Sequence, residues 1–421
     1  MVARTAGSDT VVSASEEVTV EGIRCPEQRS SESRRPESKC NYVYEGRDFY
    51  PMPVVDLHGL EVEDPQIRAS VLRELKEAAK VGCFTTVNHG IDPKVLLQLR
   101  ENSNAFFSLP SEDKAKCAQV RGTGALRAVG YQTQFQGLTE KASTVPRREV
   151  FEIQGCPLEG RDSVPWPQSS PSFRESLETF AEEICKLSTW VCESLAEALG
   201  LSRDAFIKQL GGGVHQQVVA SSYPVPENQP KDTPSSVGFG AHTDLTVINA
   251  VVEDENGGAQ VWHDDQWMNK RPISAGVSFF LGDPIECMSN GIYHSIVHRV
   301  IAPCNNSRFS CVTTLEPVDK DATVLQPVPE LVARSGQPAK YVAYNFGGRG
   351  KSVMSQRFDP DILTKRFMVT DFSVIDPLRN FSYRDGVFYI GSRPLGSLTE
   401  ESPSGGKEAF LRCRSAALWR L

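Results

Sequence analysis

The pattern of apolar and polar positions gives the chain a different texture in its first and second halves. PMPVVDL, from Pro51, reads as a short apolar strand, and Ile67, Val71, Leu75 and Ala78 then recur at helical spacing over 65–81. GCFTTVNHGI at 82–91 reads as a buried strand ending in a turn, and Asp92 followed by Pro93 starts a helix expected to reach Leu109. Gly122, Gly124, Gly130 and Gly137 break up the next stretch, after which PRREVFEIQ at 146–154 predicts another strand. Phe173, Leu177, Phe180, Ile184, Leu187, Val191 and Leu195 form the longest apolar stripe. It predicts a helix over 171–199 whose apolar face packs on a sheet, in preference to a membrane or coiled-coil role. Ser202 is placed to cap a further short helix to Leu210.

From Val214 to Leu315 the pattern shortens. QVVASSYP, TVINAVV, GAQVWH, GVSFFLG, SIVHRV and RFSCVTTL are apolar runs separated by Gly, Asn, Asp and Pro. So many short strands in one block predict an antiparallel barrel or sandwich, not alternating strand–helix units. Residues 1–45, rich in Ser, Glu, Arg and Thr, read as a flexible arm, and the chain after about 320 as mixed loop and helix. No internal repeat is present.

Composition narrows the function classes. Lys plus Arg total 45 against 53 for Asp plus Glu, a net charge of -8 that gives no field for nucleic acid or an anionic membrane surface. The 11 cysteines include no Cys-x-x-Cys pair, which removes the usual zinc and iron–sulfur signatures. No apolar run approaches a membrane span, and MVARTAGSDTVVSASEE lacks the apolar core of a secretory signal, so a cytoplasmic protein is expected. The Asn-x-Ser triplets at Asn305 and Asn380 are then chance matches.

Only seven histidines are available for chemistry. An isolated His-x-Asp is more often structural than functional. His242 and Asp244, however, stand two apart in GAHTDLTV, so near a strand end both side chains point to one face. Two imidazoles and one carboxylate can take one face of an octahedral iron and leave three positions open. His298, in SIVHRV, is the natural third ligand; His294, four residues earlier, is its rival, since on a strand both would share a face. Ten residues beyond His298 come Arg308 and Ser310, again two apart, suited to hold a carboxylate through two guanidinium bonds and a hydroxyl. His89 suits a turn better than a metal, and His58, His215 and His263 have no partner pattern. GRGKS at 348–352 lacks the first glycine of a phosphate loop, which would fall at Asn345. Arg147 and Arg148 read as a solvated strand edge, with contact to a substrate carboxylate as the alternative.

The spaced triad with its Arg-x-Ser resembles the 2-oxoglutarate and Fe(II)-dependent dioxygenase superfamily, in its isopenicillin-N-synthase-like, plant-type branch. PMPVVDL, GCFTTVNHGI, LGDPIECMSNG and SNGIYHSIVHRV extend the resemblance over about residues 50–350. It implies a mainly β fold with packed helices, a double-stranded β-helix (jelly roll) core with an N-terminal α/β region. The implied organisation is the arm at 1–45, a mixed α/β region at 46–200, the jelly-roll domain at 201–350 and a partly helical extension at 351–421.

His242, Asp244 and His298 match the family's iron ligands, and Arg308 and Ser310 its 2-oxoglutarate anchor. Tyr223 of SSYP matches the family's tyrosine near the co-substrate, although Ser221 and Ser222 replace the usual Asn and Tyr. The resemblance implies Fe(2+), 2-oxoglutarate and O2, with ascorbate as an optional reductant. The implied reaction couples oxidative decarboxylation of 2-oxoglutarate to succinate and CO2 with hydrogen abstraction by an Fe(IV)-oxo group. Hydroxylation, desaturation or oxidative cyclisation of a small specialised metabolite follows, with no obligatory protein partner. An Fe(II) oxidase of the same fold that does without 2-oxoglutarate, and an inactive relative that only binds, are the alternatives.

Overall fold

The computed structural model describes residues 49–120, 128–134, 148–157, 161–225, 236–302 and 306–348, and the strand residues 381–384, 387–390 and 393–397. The arm expected at 1–45, Gly122, Gly124 and Gly137 of the glycine-broken stretch, and Arg147 lie outside the described residues.

Strand β1 (Val54–Asp56) leads into helix α1 (Pro65–Val81). Asp64 caps this helix by accepting from the Gln66 N–H, Pro65 supplies a pre-set first turn, and Gly82 ends it at φ 96°. Val71, Leu75 and Ala78 are buried as their spacing predicts, but Ile67 in the first turn is 44% exposed. Strand β2 (Cys83–Val87) and helix α2 (Pro93–Phe107) follow, the latter capped by Asp92 on the Lys94 N–H. After α3 (Ser111–Ala115) come strands β3 (Gly130–Gln134) and β4 (Arg148–Cys156), then the long helix α4 (Pro171–Ala198). All seven residues of its predicted stripe are buried. Burying each such side chain stabilises the fold by about 2 kcal/mol. Helix α5 (Ala205–Gln209) starts two residues later than a Ser202 cap would place it, because residues from Ser202 form a turn in which Ala205 N–H donates to Ser202 O.

The second half supplies β5 (His215–Tyr223), β6 (Ser236–His242), β7 (Ile248–Glu253), β8 (Ala259–His263), β9 (Gln266–Asn269) and β10 (Val277–Leu281). Helix α6 (Asp283–Met288) is followed by β11 (His298–Ala302), β12 (Arg308–Glu316), β13 (Val324–Leu325), α7 (Pro329–Ser335) and β14 (Tyr344–Asn345). The described part of the C-terminal region is not helical: β15 (Phe381–Arg384), β16 (Val387–Ile390) and β17 (Arg393–Ser397) form an antiparallel sheet.

Two sheets carry the architecture. The large one runs β1-β2-β10-β7-β12-β5-β4-β3 and the small one β6-β11-β8-β9. Within them only β1 and β2 pair in parallel. Strands from before and after residue 200 share the large sheet, so the N-terminal α/β region is built into the jelly roll. The outer face of this sheet carries Phe151, Val218, Ala220, Phe309 and Cys311 into one core with α2 and α4. Phe106 of α2 stacks on Phe173 of α4 at 4.4 Å, and Phe151 of β4 meets Phe173 edge-on at 5.0 Å. The inner face meets the small sheet, where Phe280 and Cys83 pack with Val261 and Tyr50. Among the described residues no helix is long and apolar enough to cross a membrane.

Candidate metal centre and co-substrate site

His242 is the last residue of β6 and His298 the first of β11, and the antiparallel register places them directly opposite one another. Their imidazole centroids are 4.2 Å apart. Asp244 follows two residues later in the loop leading to β7. Its Oδ1 is 3.5 Å from His242 Nε2 and its Oδ2 3.7 Å from His298 Nε2. One ligand atom from each of the three lies within 4.8 Å of the other two, the only such group of three or more His, Cys, Asp or Glu among the described residues.

The same backbone device fixes both rings. His242 Nδ1 lies 2.7 Å from Gly240 O, and His298 Nδ1 lies 3.1 Å from Ile296 O. A carbonyl only accepts, so each Nδ1 carries a proton and each Nε2 faces Asp244. Phe239 meets His242 edge-on at 4.7 Å, and Phe280 covers His298 at 4.6 Å. Asp244 is 6% exposed, and its Oδ2 is buried without a hydrogen-bond donor. Burial pushes this carboxyl up, but His298, His242 and a hydrogen bond from Asn249 outweigh it and hold the group below the usual carboxylate range. A buried carboxylate with one oxygen lacking a donor, set between two imidazole Nε2 atoms, is a donor set that fits a divalent cation with nitrogen and oxygen preference.

Three neighbours that the sequence did not single out build this corner. Asn249 bonds Asp244 and in turn accepts from Thr246 Oγ1 at 2.6 Å. Gly282 lies so close to the Asp244 loop that a Cβ there would fall 1.7 Å from Thr246 O and 2.8 Å from Asp244 O. Glu286 of α6 accepts from the Ser295 N–H at 2.6 Å and from Tyr341 Oη at 2.8 Å, which fixes the segment entering His298. The polar Asn249 inside the apolar run TVINAVV and the Gly-Asp of LGDP were the available signals. Their partners sit on other strands and cannot be read from spacing.

The rival ligand drops out. β11 begins at His298, so His294 shares no strand with it, is exposed and stands outside the cluster. His89 is buried in a turn: Nε2 donates to Ala275 O at 2.9 Å, and Nδ1 accepts from the Ile91 N–H at 3.3 Å. His58 is exposed, His215 lies 3.8 Å from Glu316, and His263 lies 3.3 Å from Asp264. The GRGKS run lies outside the described residues beyond Gly348.

Arg308 and Ser310 share the inner face of β12, with Nη1 donating to Ser310 Oγ at 2.8 Å. The guanidinium also donates to Gly257 O and, at 3.0 Å, to the Glu253 carboxylate, and it lies 5.2 Å from the Tyr223 ring centroid. Tyr223 is the direct register partner of Arg308 and is 2% exposed. Arg148 is not a solvated strand edge. It turns inward, donates to Ser221 Oγ at 2.9 Å, and lies over the rings of Tyr223 and Phe239 at 5.6 and 5.2 Å. Phe239 therefore links Arg148 to the His242 ring.

Residues 52–172 match the family described as the non-haem dioxygenase in morphine synthesis N-terminal region, and residues 214–317 match the 2OG-Fe(II) oxygenase superfamily. The chain is 31% identical over 295 residues to the flavonol synthase/flavanone 3-hydroxylase of Arabidopsis thaliana, covering 70% of this chain and 83% of that one. It is 29% identical over 299 residues to the leucoanthocyanidin dioxygenase of Malus domestica, covering 70% and 81%. Among solved structures it resembles JOX2 in complex with 2OG, Fe and JA, with a TM-score of 0.61 and 27% identity over 77% of this chain and 90% of that one. The rice dioxygenase for auxin oxidation shares the fold at a TM-score of 0.61 and 21% identity, covering 77% and 100%. The chain belongs to the 2OG-Fe(II) oxygenase superfamily, in its plant-type branch, and is a dioxygenase that depends on Fe(2+) and 2-oxoglutarate.

Proposed function

We propose that His242, Asp244 and His298 hold the Fe(II), that Arg308, Ser310 and Tyr223 receive 2-oxoglutarate, and that the enzyme oxidises a small specialised metabolite. The observation that carries this reading is the convergence of two backbone-anchored imidazoles on the buried Asp244 carboxylate, His242 Nε2 toward Oδ1 and His298 Nε2 toward Oδ2. Bound Fe(II), with 2-oxoglutarate and O2, supplies an oxidant for removing hydrogen from carbon, 2-oxoglutarate leaving as succinate and CO2. The residues of the chain contribute position. Gly240 O and Ile296 O orient the rings, Asn249 holds the carboxylate, and Phe239 and Phe280 keep water from the metal side. Arg308 and Ser310, two residues apart on β12, offer a fork and a hydroxyl to the distal carboxylate.

The sheet registers support that placement. Phe280, which covers His298, is paired with Asn249, and Asn249 with Thr314; Arg308 lies further along the same inner face. For the primary substrate, relatives named for flavonoids and neighbours named for auxin oxidation or holding JA support a small organic molecule. The outcome at carbon is hydroxylation, desaturation or oxidative cyclisation.

We also infer that 46–200 and 201–350 function as one catalytic body, with 1–45 and 351–421 as extensions. A cytoplasmic setting, without nucleic-acid, membrane or protein partners, is supported by the net charge of -8 and by seven described cysteines that are all free thiols.

The test is a coupled measurement of succinate and substrate oxidation with Fe(II), 2-oxoglutarate and a panel of flavonoids and small carboxylic acids. Stoichiometric succinate with one oxidised product supports the reading. Substrate oxidation without succinate would assign the protein to the oxidases of this fold.

A further inference from the structure

Tyr223 is flanked by two arginines from different strands. β5 lies between β12 and β4 in the large sheet, so Arg308 reaches the Tyr223 ring from one neighbour and Arg148 from the other. Their guanidinium carbons stand 5.2 and 5.6 Å from the ring centroid. Each guanidinium is also tied to a serine: Arg308 Nη1 donates to Ser310 Oγ at 2.8 Å, and Arg148 Nη2 to Ser221 Oγ at 2.9 Å. Ser310 and Ser221 are direct register partners, so both tethers leave the inner face at one level of the sheet. Tyr223 itself is 2% exposed, and Gly238 of β6 lies so near that a Cβ there would fall 3.1 Å from Tyr223 Cε1.

Arg148 differs from Arg308 in what else it touches. Its guanidinium carbon lies 5.2 Å from the Phe239 centroid, and Phe239 meets His242 edge-on at 4.7 Å. Phe239 and His242 both belong to β6, in the small sheet. Arg148 therefore bridges the two sheets, from the tyrosine beside Arg308 to the aromatic cover of a metal-site imidazole. A guanidinium suits this place because its plane lies against aromatic rings while its edge donates a hydrogen bond; an ammonium has no such plane.

We propose that Arg148 is a positioning residue of the active site, a clamp that fixes the Tyr223 ring at the co-substrate pocket and Phe239 against His242. It acts by contact and orientation, not through net charge. This rests on Arg308 and Tyr223 facing 2-oxoglutarate and on His242 holding the metal.

The experiment measures binding without turnover. The full-length protein, loaded with Mn(II) under nitrogen, is titrated calorimetrically with 2-oxoglutarate. The visible absorption band of the anaerobic Fe(II)–2-oxoglutarate complex, recorded at saturating 2-oxoglutarate, reads the surroundings of the metal. Arg148→Met should weaken 2-oxoglutarate by about tenfold and shift the band. Arg148→Lys, which keeps the charge and loses the plane, should weaken it by about fivefold or more. In a Tyr223→Leu background, Arg148→Met should cost less than about threefold, because the ring it holds is gone. Should Arg148→Met fail to fold, Arg148→Lys decides alone. Wild-type affinity in Arg148→Met with only a lowered Tm makes the residue merely structural and overturns the proposal. So does full rescue by Arg148→Lys, an undiminished cost in the Tyr223→Leu background, or an unmoved band. Arg308→Met separates the underlying reading: wild-type 2-oxoglutarate affinity in that variant removes the co-substrate from this end of β12.

Discussion

His242 and His298 face each other across the β6–β11 pair, each with its Nδ1 tied to the backbone carbonyl two residues upstream, Gly240 O and Ile296 O. The two rings are thus set in the same tautomer by the same local geometry. The backbone orients both rings, and Asp244, in the loop after β6, is buried and hydrogen-bonded by Asn249.

Asp244 should be decisive for iron. Replacing it with alanine removes the only carboxylate of the cluster, and bound Fe(II) per chain should fall well below one equivalent after desalting. Iron content equal to that of the wild-type protein would refute its role as a ligand.

Asn249 should tune the site without touching the metal. Asn249→Ala removes the donor that orients Asp244 and leaves Thr246 Oγ1 without its acceptor. Metal affinity should drop by roughly 10- to 100-fold with the fold intact. Competition with a chromophoric chelator reads this directly, and an unchanged affinity would place Asn249 outside the site.

Gly282→Ala should damage stability and metal binding together. The new methyl would lie 1.7 Å from Thr246 O, a backbone atom of the Asp244 loop, so the loop must move. The expected cost is about 3 kcal/mol, with a lowered Tm and weaker iron retention. A variant as stable as wild type would show that the loop yields freely.

His89 should make stability depend on pH. Burial, the largest effect, lowers its pKa below 6.5, against the raising effect of the hydrogen bond to Ala275 O. The neutral ring donates through Nε2 and accepts the Ile91 N–H through Nδ1; protonation of Nδ1 breaks the second bond. Between the folded pKa and 6.5 the unfolded chain binds more protons. The His89 contribution is therefore complete above 6.5 and is lost as pH falls below it. Urea melts from pH 8 to pH 5 should show a steeper decline for wild type than for His89→Gln. Parallel curves would contradict this.

The amino-acid order by itself determined the helices over 65–81 and 171–199, because apolar spacing and Asp–Pro or Pro starts act within a few residues. It also named the six site candidates, of which Arg308 and Ser310 do stand two apart on one face of extended backbone, whereas Asp244 leaves β6 for the loop beyond His242. What it could not decide was anything set by register between distant strands. Asn249, Gly282 and Glu286 meet partners that only the tertiary structure brings together, and His294 loses its claim only because β11 starts at His298. Arg148 reads as solvated on its own strand, yet faces inward because its neighbours are Tyr223 and Phe239 from two other strands. Local propensity is short-ranged, whereas the charge balance and enclosure of the site are sums over strands far apart in sequence, and only the tertiary structure performs that sum.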